Sequence, residues 1–153
     1  PLKKENVNLV DIVSSSLKLI SSDAQSLAVK TSLDSSPDLP AVSADRDRIN
    51  QVLLNLYLNG LQAMEETRGE KFLKVSVHHG AAPGFIDIEV QDNGKGIPEE
   101  DLDRILDPYF TSKPDGTGLG LAMAYKIIDE HMGSIRFQSK SGQGTIVTVS
   151  LPV

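Results

Sequence analysis

Gln51-Val-Leu-Leu-Asn-Leu-Tyr-Leu-Asn-Gly60 decides how this chain is read. Its apolar positions belong to a stripe formed by Ile49, Val52, Leu53, Leu56, Gly60, Ala63 and Met64. Apolar residues at three- and four-residue intervals bury one face of a helix. The spacing predicts a long helix, capped near Asp45 or Asp47 and ending at about Glu66. Asn55 and Asn59 are four residues apart and so project about 40° from each other. Both fall at the edge of the apolar stripe, beside Val52 and Ala63. An amide there can reach from a packed wall into a cleft, and its neutral oxygen is a hard donor of the kind Mg²⁺ takes. Boundary amides that bond backbone or water carry the same pattern, so the pair alone leaves both readings open.

Working outward, Lys71–His79 and Phe85–Asp92 alternate apolar and polar residues, with Gly80-Ala-Ala-Pro-Gly84 between them. That is the pattern of a β-hairpin. On the N-terminal side, Val7–Leu9 reads as a short strand and Asp11–Ala28 as a helix with Ile12, Val13, Leu17, Ile20, Ala24 and Leu27 at helical spacing. Val29–Leu33 reads as a strand, followed by a turn-rich stretch, Asp34–Pro40. On the C-terminal side, residues 93–117 are loop-rich, with a short helix over Glu99–Ile105. Leu119–His131 is a predicted helix stopped by Gly133, and Ile135–Gln138 with Thr145–Leu151 a second hairpin. Helices interleave with strands, yet the strands come in hairpins. The fold class is therefore α/β of the α+β kind, a two-layer sandwich with a mixed, mostly antiparallel sheet on about three helices.

Two glycine-bearing segments flank the last helix and the second predicted strand of the first hairpin. In Asp92-Asn-Gly-Lys-Gly-Ile97 an aspartate ends a strand and glycines let the chain turn closely behind it. A buried carboxylate only accepts hydrogen bonds. It can take the exocyclic amino group of adenine and repels the carbonyl that guanine carries there, a discrimination of the strong kind. An ordinary Asn-Gly turn has the same sequence. In Gly116-Thr-Gly-Leu-Gly-Leu121 the glycines precede a helical run, where free N–H groups and the helix dipole favour phosphate. Met123 stands where a dinucleotide fingerprint needs its third glycine, and no Lys-Ser or Lys-Thr follows as in a Walker A loop. A flexible loop before a helix fits equally. Upstream, Pro108-Tyr-Phe-Thr-Ser-Lys-Pro-Asp115 looks like a lid: Phe110 could hold it down, and Lys113 is either a point charge for a terminal phosphate or a solvated lysine.

The 153 residues fit one domain, residues 1–153, which can bury roughly 70% of its unfolded surface. The absence of cysteine excludes disulfides and thiolate metal sites and points to a reducing compartment. A net charge of −6 offers no basic stripe for nucleic acid or anionic lipid. No apolar run reaches the ~20 residues of a membrane span. The chain starts at Pro1-Leu-Lys-Lys without a methionine, and we expect it to be part of a larger protein. Its three histidines show no metal spacing and no nucleophile triad.

Taken together, Asn55 to Asn59, Asp92 to Gly96, Phe110, and Gly116 to Gly120 resemble the N, first glycine, F and second glycine boxes of bacterial sensor histidine kinases. The resemblance covers essentially the whole chain. Gln51 to Asn59 and Pro108 to Lys113 look most like the nitrogen-regulation and zinc-resistance sensor types. The resemblance implies the Bergerat ATP-binding fold and the catalytic, ATP-binding half of a protein-histidine kinase in a two-component system, located in the cytoplasm. It implies Asn59 on Mg²⁺, Asn55 beside the phosphates and Asp92 on adenine. It further implies Gly94, Gly96 and Ile97 at the nucleotide, Phe110 anchoring the lid, Lys113 on a phosphate, and Gly116, Thr117, Gly118, Leu119, Gly120 and Leu121 along the phosphate path. The implied cofactors are ATP and Mg²⁺. The implied partners are the protein's own dimerisation domain, which carries the acceptor histidine and lies outside this chain, and a response regulator. Three positions depart from the family. Gly60 replaces the usual alanine, and Gln62 and Ala63 replace a Lys and a Tyr that many relatives carry, which makes Lys113 the better phosphate contact.

Two other functions compete. Gyrase, mismatch-repair and chaperone ATPases share the fold but place a glutamate base one turn before the metal-binding asparagine. Here that position is Asn55, which cannot act as a base near neutral pH. A non-catalytic docking module is the other, and the complete set of Asp92, Asn59 and glycines speaks against it. The lid, Asp107–Gly118, is expected to vary in conformation without nucleotide.

Overall fold

The computed structural model describes residues 1–102 and 120–153. Five strands form the main sheet in the order β2-β4-β5-β7-β6, comprising β2 (Val29–Ser35), β4 (Lys71–His79), β5 (Phe85–Asp92), β6 (Ser134–Lys140) and β7 (Gly144–Pro152). Only β2 and β4 run parallel within it; the other neighbours are antiparallel. Two short strands, β1 (Glu5–Val7) and β3 (Val42–Ala44), form a separate antiparallel pair. Helices α1 (Leu9–Leu19), α3 (Arg46–Ala63) and α5 (Gly120–Glu130) pack on the main sheet, with short α2 (Ser21–Ser26) and α4 (Glu99–Leu102) beside them. The expected two-layer sandwich with a mostly antiparallel sheet and three main helices is what the described residues form.

Alternation along β5 builds the core. Ile86, Ile88 and Val90 are buried toward the helices, and so are Val147, Val149 and Leu151 of the paired β7. The same period carries Asp92, the last residue of β5, to the helix side. Burial of α3 is broader than its predicted stripe: Tyr57 and Leu61 are buried as well, whereas Ala63 is only half-buried. Tyr57 can be buried because its hydroxyl meets Ser16 Oγ of α1 at 2.9 Å. Burial pushes that phenol well above its ordinary range.

Several boundaries differ from the sequence reading, each for a local reason. Val7–Leu9 is not a strand throughout: Asn8 caps α1 by accepting the Val10 N–H at 2.9 Å, so Leu9 is already helical. The helix expected over Asp11–Ala28 is two helices. It breaks at Ile20, where Ser21 Oγ donates to the Lys18 carbonyl at 2.8 Å and competes with the helical ladder. Asp34–Pro40 begins while β2 is still running, and β3 was not anticipated. The short helix placed over Glu99–Ile105 covers Glu99–Leu102; residues 103–105 lie outside the described residues. The C-terminus of α5 turns through Met132, which holds a left-handed φ of 62°, and Gly133 returns its N–H to the Ile128 carbonyl at 2.9 Å. Gly133 is needed for space, since a Cβ there would collide with the Ser150 carbonyl.

Candidate nucleotide site

Among the described residues, Asp92, Gly94 and Gly120 each face helix α3. Asp45 starts it, accepting the Arg48 N–H on Oδ1 at 3.2 Å. Asn55 and Asn59 are both half-buried on its flank. The residue after Asn59 faces Asp92: a Cβ built on Gly60 would stand 3.5 Å from Asp92 Oδ2. Three residues on, the Ala63 carbonyl accepts the Lys95 N–H at 3.0 Å, and a Cβ on Gly94 would collide with that same carbonyl. Gly94 is thus required by close approach of the loop to the helix.

The loop after β5 is held from three sides. Asp92 Oδ1 accepts the Gly94 N–H at 2.9 Å, which closes an Asx turn around the carboxylate. Gly96, at φ +73°, passes so near the Lys140 carbonyl that no side chain fits. Gly142 donates to the Lys95 carbonyl at 2.6 Å, and Ile97 donates to Ser139 Oγ at 2.7 Å. Asn93 points the other way, accepting the Phe72 N–H at 3.0 Å and donating to the Glu70 carbonyl at 2.7 Å. Asp92 is 7% exposed, so its carboxylate lies at the floor of the helix–sheet seam rather than on the surface.

Gly120, at the start of α5, meets the same helix. Asn55 Nδ2 donates to the Gly120 carbonyl at 3.4 Å, and the Cα of Gly120 faces the Asn55 amide closely enough that a Cβ would lie 3.8 Å from it. Leu121 is half-buried on the next turn of α5. One turn before Asn55, Gln51 Nε2 approaches Met123 Sδ at 3.0 Å. Along α3, the points facing Gly120 and Asp92 are five residues apart, about 7.5 Å of helix rise. Phe110, Lys113, Gly116, Thr117, Gly118 and Leu119, and the proposed lid Asp107–Gly118, lie outside the described residues.

Sequence reasoning had treated Gly60 as a departure and did not pair it with Asp92. It also passed over Asn93, Ser139 and His131. The Gly142 and Gly144 pair was a usable signal: both have positive φ, and a Cβ on Gly144 would collide with the Asp92 carbonyl. Among the described residues no group of three or more His, Asp or Glu could hold a metal ion. The oxygen donor expected from the sequence is the neutral amide of Asn59, half-buried one position before Gly60. That suits a divalent cation which takes most of its oxygens from a bound ligand and water.

Residues 44–153 match the family described as histidine kinase-, DNA gyrase B- and HSP90-like ATPases. The sensor histidine kinase ZraS of Salmonella typhimurium is 43% identical over 152 residues, covering 99% of this chain. The chain spans about a third, 32%, of that relative's length. Among solved structures, the nucleotide-free catalytic domain of histidine kinase ThkA superposes with a TM-score of 0.86 at 30% identity, covering 99% of this chain and 96% of its own. Full-length ShkA in complex with AMPPNP gives 0.84 at 25% identity, covering 99% and 31%. ThkA in complex with the response regulator protein TrrA gives 0.80 at 27% identity, covering 97% and 41%.

Proposed function

Since this chain belongs to the histidine kinase-, DNA gyrase B- and HSP90-like ATPase family, we propose that residues 1–153 are one catalytic domain. It presents the γ-phosphoryl of Mg-ATP to a histidine on a separate dimerisation domain, for onward transfer to a response regulator. The observation that carries this reading is the convergence of the Asp92 carboxylate and the Gly120 end of the glycine segment on one helix, at Gly60 and Asn55. A nucleotide lying along that wall would set adenine at Asp92, with its amino group donating to the carboxylate, and its phosphates toward Asn55 and Gly120. Gly94, Gly96 and Ile97 shape the base end. Asn59, between the two, is the residue we assign to Mg²⁺, which supplies charge neutralisation on the phosphates when bound.

Outside the described residues, we assign Phe110 to anchoring the lid, Lys113 to a terminal phosphate, and Gly116, Thr117, Gly118 and Leu119, with Gly120 and Leu121, to the phosphate path. Transfer breaks the bond between the γ-phosphorus and the bridging oxygen of ADP and forms a bond from phosphorus to the acceptor imidazole nitrogen. The protein's share is positioning and electrostatics. The acceptor is not His131, which is 3% exposed with both ring nitrogens in hydrogen bonds.

Transfer is favoured over hydrolysis by the state of Asn55. Its amide donates to the Gly120 carbonyl and offers no base to a water. No helix of the described residues is long and apolar enough to cross a membrane. We place the domain in the cytoplasm, without contacts of its own to membrane or nucleic acid. The test is a titration of ATP against GTP with and without Mg²⁺, followed by incubation with an acceptor-histidine hairpin. Mg-dependent preference for ATP and formation of phosphohistidine are expected. Rapid ATP turnover by the chain alone, or no phosphohistidine, overturns the proposal.

A further inference from the structure

At the far end of the α3–α5 seam from Gly120, one buried histidine joins three parts of the fold. His131 follows α5, and its Nδ1–H donates to the Ile127 carbonyl at 2.8 Å. Its Nε2 accepts the backbone N–H of Asp45 at 3.0 Å. That pair of bonds is satisfied by the neutral ring with its proton on Nδ1. Asp45 itself is engaged on every side. Its Oδ1 caps α3 through the Arg48 N–H, and its Oδ2 accepts the backbone N–H of Lys3 at 2.9 Å. The segment that begins at Lys3 continues into β1, which pairs with β3 in the register Glu5↔Ala44, immediately before Asp45. Arg46 reinforces the same junction through Glu5 at 3.2 Å.

Helices α3 and α5 run antiparallel along this seam, because the contacts pair Asp45 with His131, Gln51 with Met123, and Asn55 with Gly120. The eleven residues of α5 amount to about 16 Å of rigid rod between the His131 joint and Gly120. A packed helix moves as a unit, so a displacement at one end reappears at the other.

We infer that His131 and Asp45 form a positioning joint, through which the placement of the N-terminal segment at Lys3 sets the position of Gly120 against Asn55 at the opposite end of α5. This rests on the nucleotide reading above, since Gly120 matters to function only if phosphate binds beside it. Neither His131 nor Asp45 touches the nucleotide; both act through α5.

The experiment compares the 153-residue chain with His131→Phe, which keeps a planar aromatic ring, slightly larger, and loses both nitrogens, with His131→Gln, which can restore a donor and an acceptor, and with Lys3→Pro, which deletes one backbone donor and no side chain of the joint. ATP affinity is measured by calorimetry, Tm by denaturation, and backbone amide shifts by NMR without nucleotide. We expect His131→Phe to weaken ATP binding about tenfold, within the range of coupling between linked sites, His131→Gln to bind within about twofold of the parent, and Lys3→Pro to weaken it by about two- to fivefold. Without nucleotide, Leu121–Ala124 should shift in both weakened variants. Lowered Tm with unchanged affinity, or shifts confined to the neighbourhoods of residues 3, 45 and 131, overturns the joint. Should the parent chain fail to bind ATP, the proposed function falls while the nucleotide-free spectra still decide the joint. Should His131→Phe fail to fold, Lys3→Pro carries the same decision.

Discussion

Gly60 of α3 and Asp92 of β5 face each other so closely that a Cβ on the glycine would stand 3.5 Å from the carboxylate Oδ2 and 3.0 Å from Leu73 Cδ1. The neighbour that must yield is the tip of a flexible leucine, not backbone. Gly60→Ala also gains up to about 1 kcal/mol in helix propensity. The two effects offset, and the substitution should leave stability within about 1 kcal/mol of the parent with ATP affinity little changed. Gly60→Val puts two more carbons in front of the carboxylate; it should weaken ATP binding at least about tenfold, by occupying space the base needs, with overpacking costing about 1–3 kcal/mol. Denaturation and titration of the two variants check this. Parental affinity in Gly60→Val would mean that the base does not lie where we place it.

Asp92→Asn separates the turn that the carboxylate closes from the adenine contact we propose for it. An asparagine oxygen can still accept the Gly94 N–H that Oδ1 accepts now at 2.9 Å, so the turn should persist and stability fall by no more than about 1 kcal/mol. The second oxygen becomes a donor NH₂, which opposes the adenine amino group and suits the guanine carbonyl. ATP affinity should drop about tenfold or more, and the preference for ATP over GTP should narrow. An unchanged ATP-to-GTP ratio would move the base away from Asp92.

Asn59→Ala tests the assignment of the cation. The residue is half-buried on α3, one position before Gly60. Alanine is the best helix former, so α3 should survive. With the amide gone, affinity in the absence of Mg²⁺ should stay near the parent's while the enhancement on adding Mg²⁺ shrinks several-fold. Equal loss with and without Mg²⁺ would assign Asn59 to the nucleotide itself.

Much of the sandwich was legible because its signals are periodic. The stripe Ile49–Met64 and the alternation in Lys71–His79 and Phe85–Asp92 stand in the sequence at the periods that the sheet and helix impose. The two-helix break at Ile20 was not, because Ser21 competes with the ladder through a side-chain bond that leaves apolar spacing intact. The strand β3 was hidden by its three-residue length, and its partner β1 is equally short. At the site, Asp92 and the glycines could be found by residue type. The facing of Gly60 and Asp92 could not, since it depends on which turn of α3 meets the end of β5. His131 was passed over for the same reason: a histidine near a helix end says nothing of Asp45, 86 residues away in sequence.

On the sheet face away from the helices, His78 carries a pH dependence whose sign is fixed by its neighbours. Its Nδ1 lies 3.0 Å from the His79 carbonyl, and its Nε2 lies 3.2 Å from Glu89 Oε1. The carbonyl is the larger influence, with Glu89 and then Asp87 adding to it against partial burial. Together they raise the imidazole above its ordinary value of 6.5. Both contacts are best served by the doubly protonated ring. A raised folded value means that the group's contribution is fully present below 6.5 and disappears as pH rises through the folded value. Because the side chain is 36% exposed, the pair is screened by solvent, and its worth stays below about 1 kcal/mol. In a domain of this size that corresponds to about 1–4 °C in Tm. The difference in Tm between the parent and His78→Ala should therefore be largest near pH 5.5 and shrink toward pH 8. A difference that grows with pH would mean that the neutral ring is the one the sheet prefers.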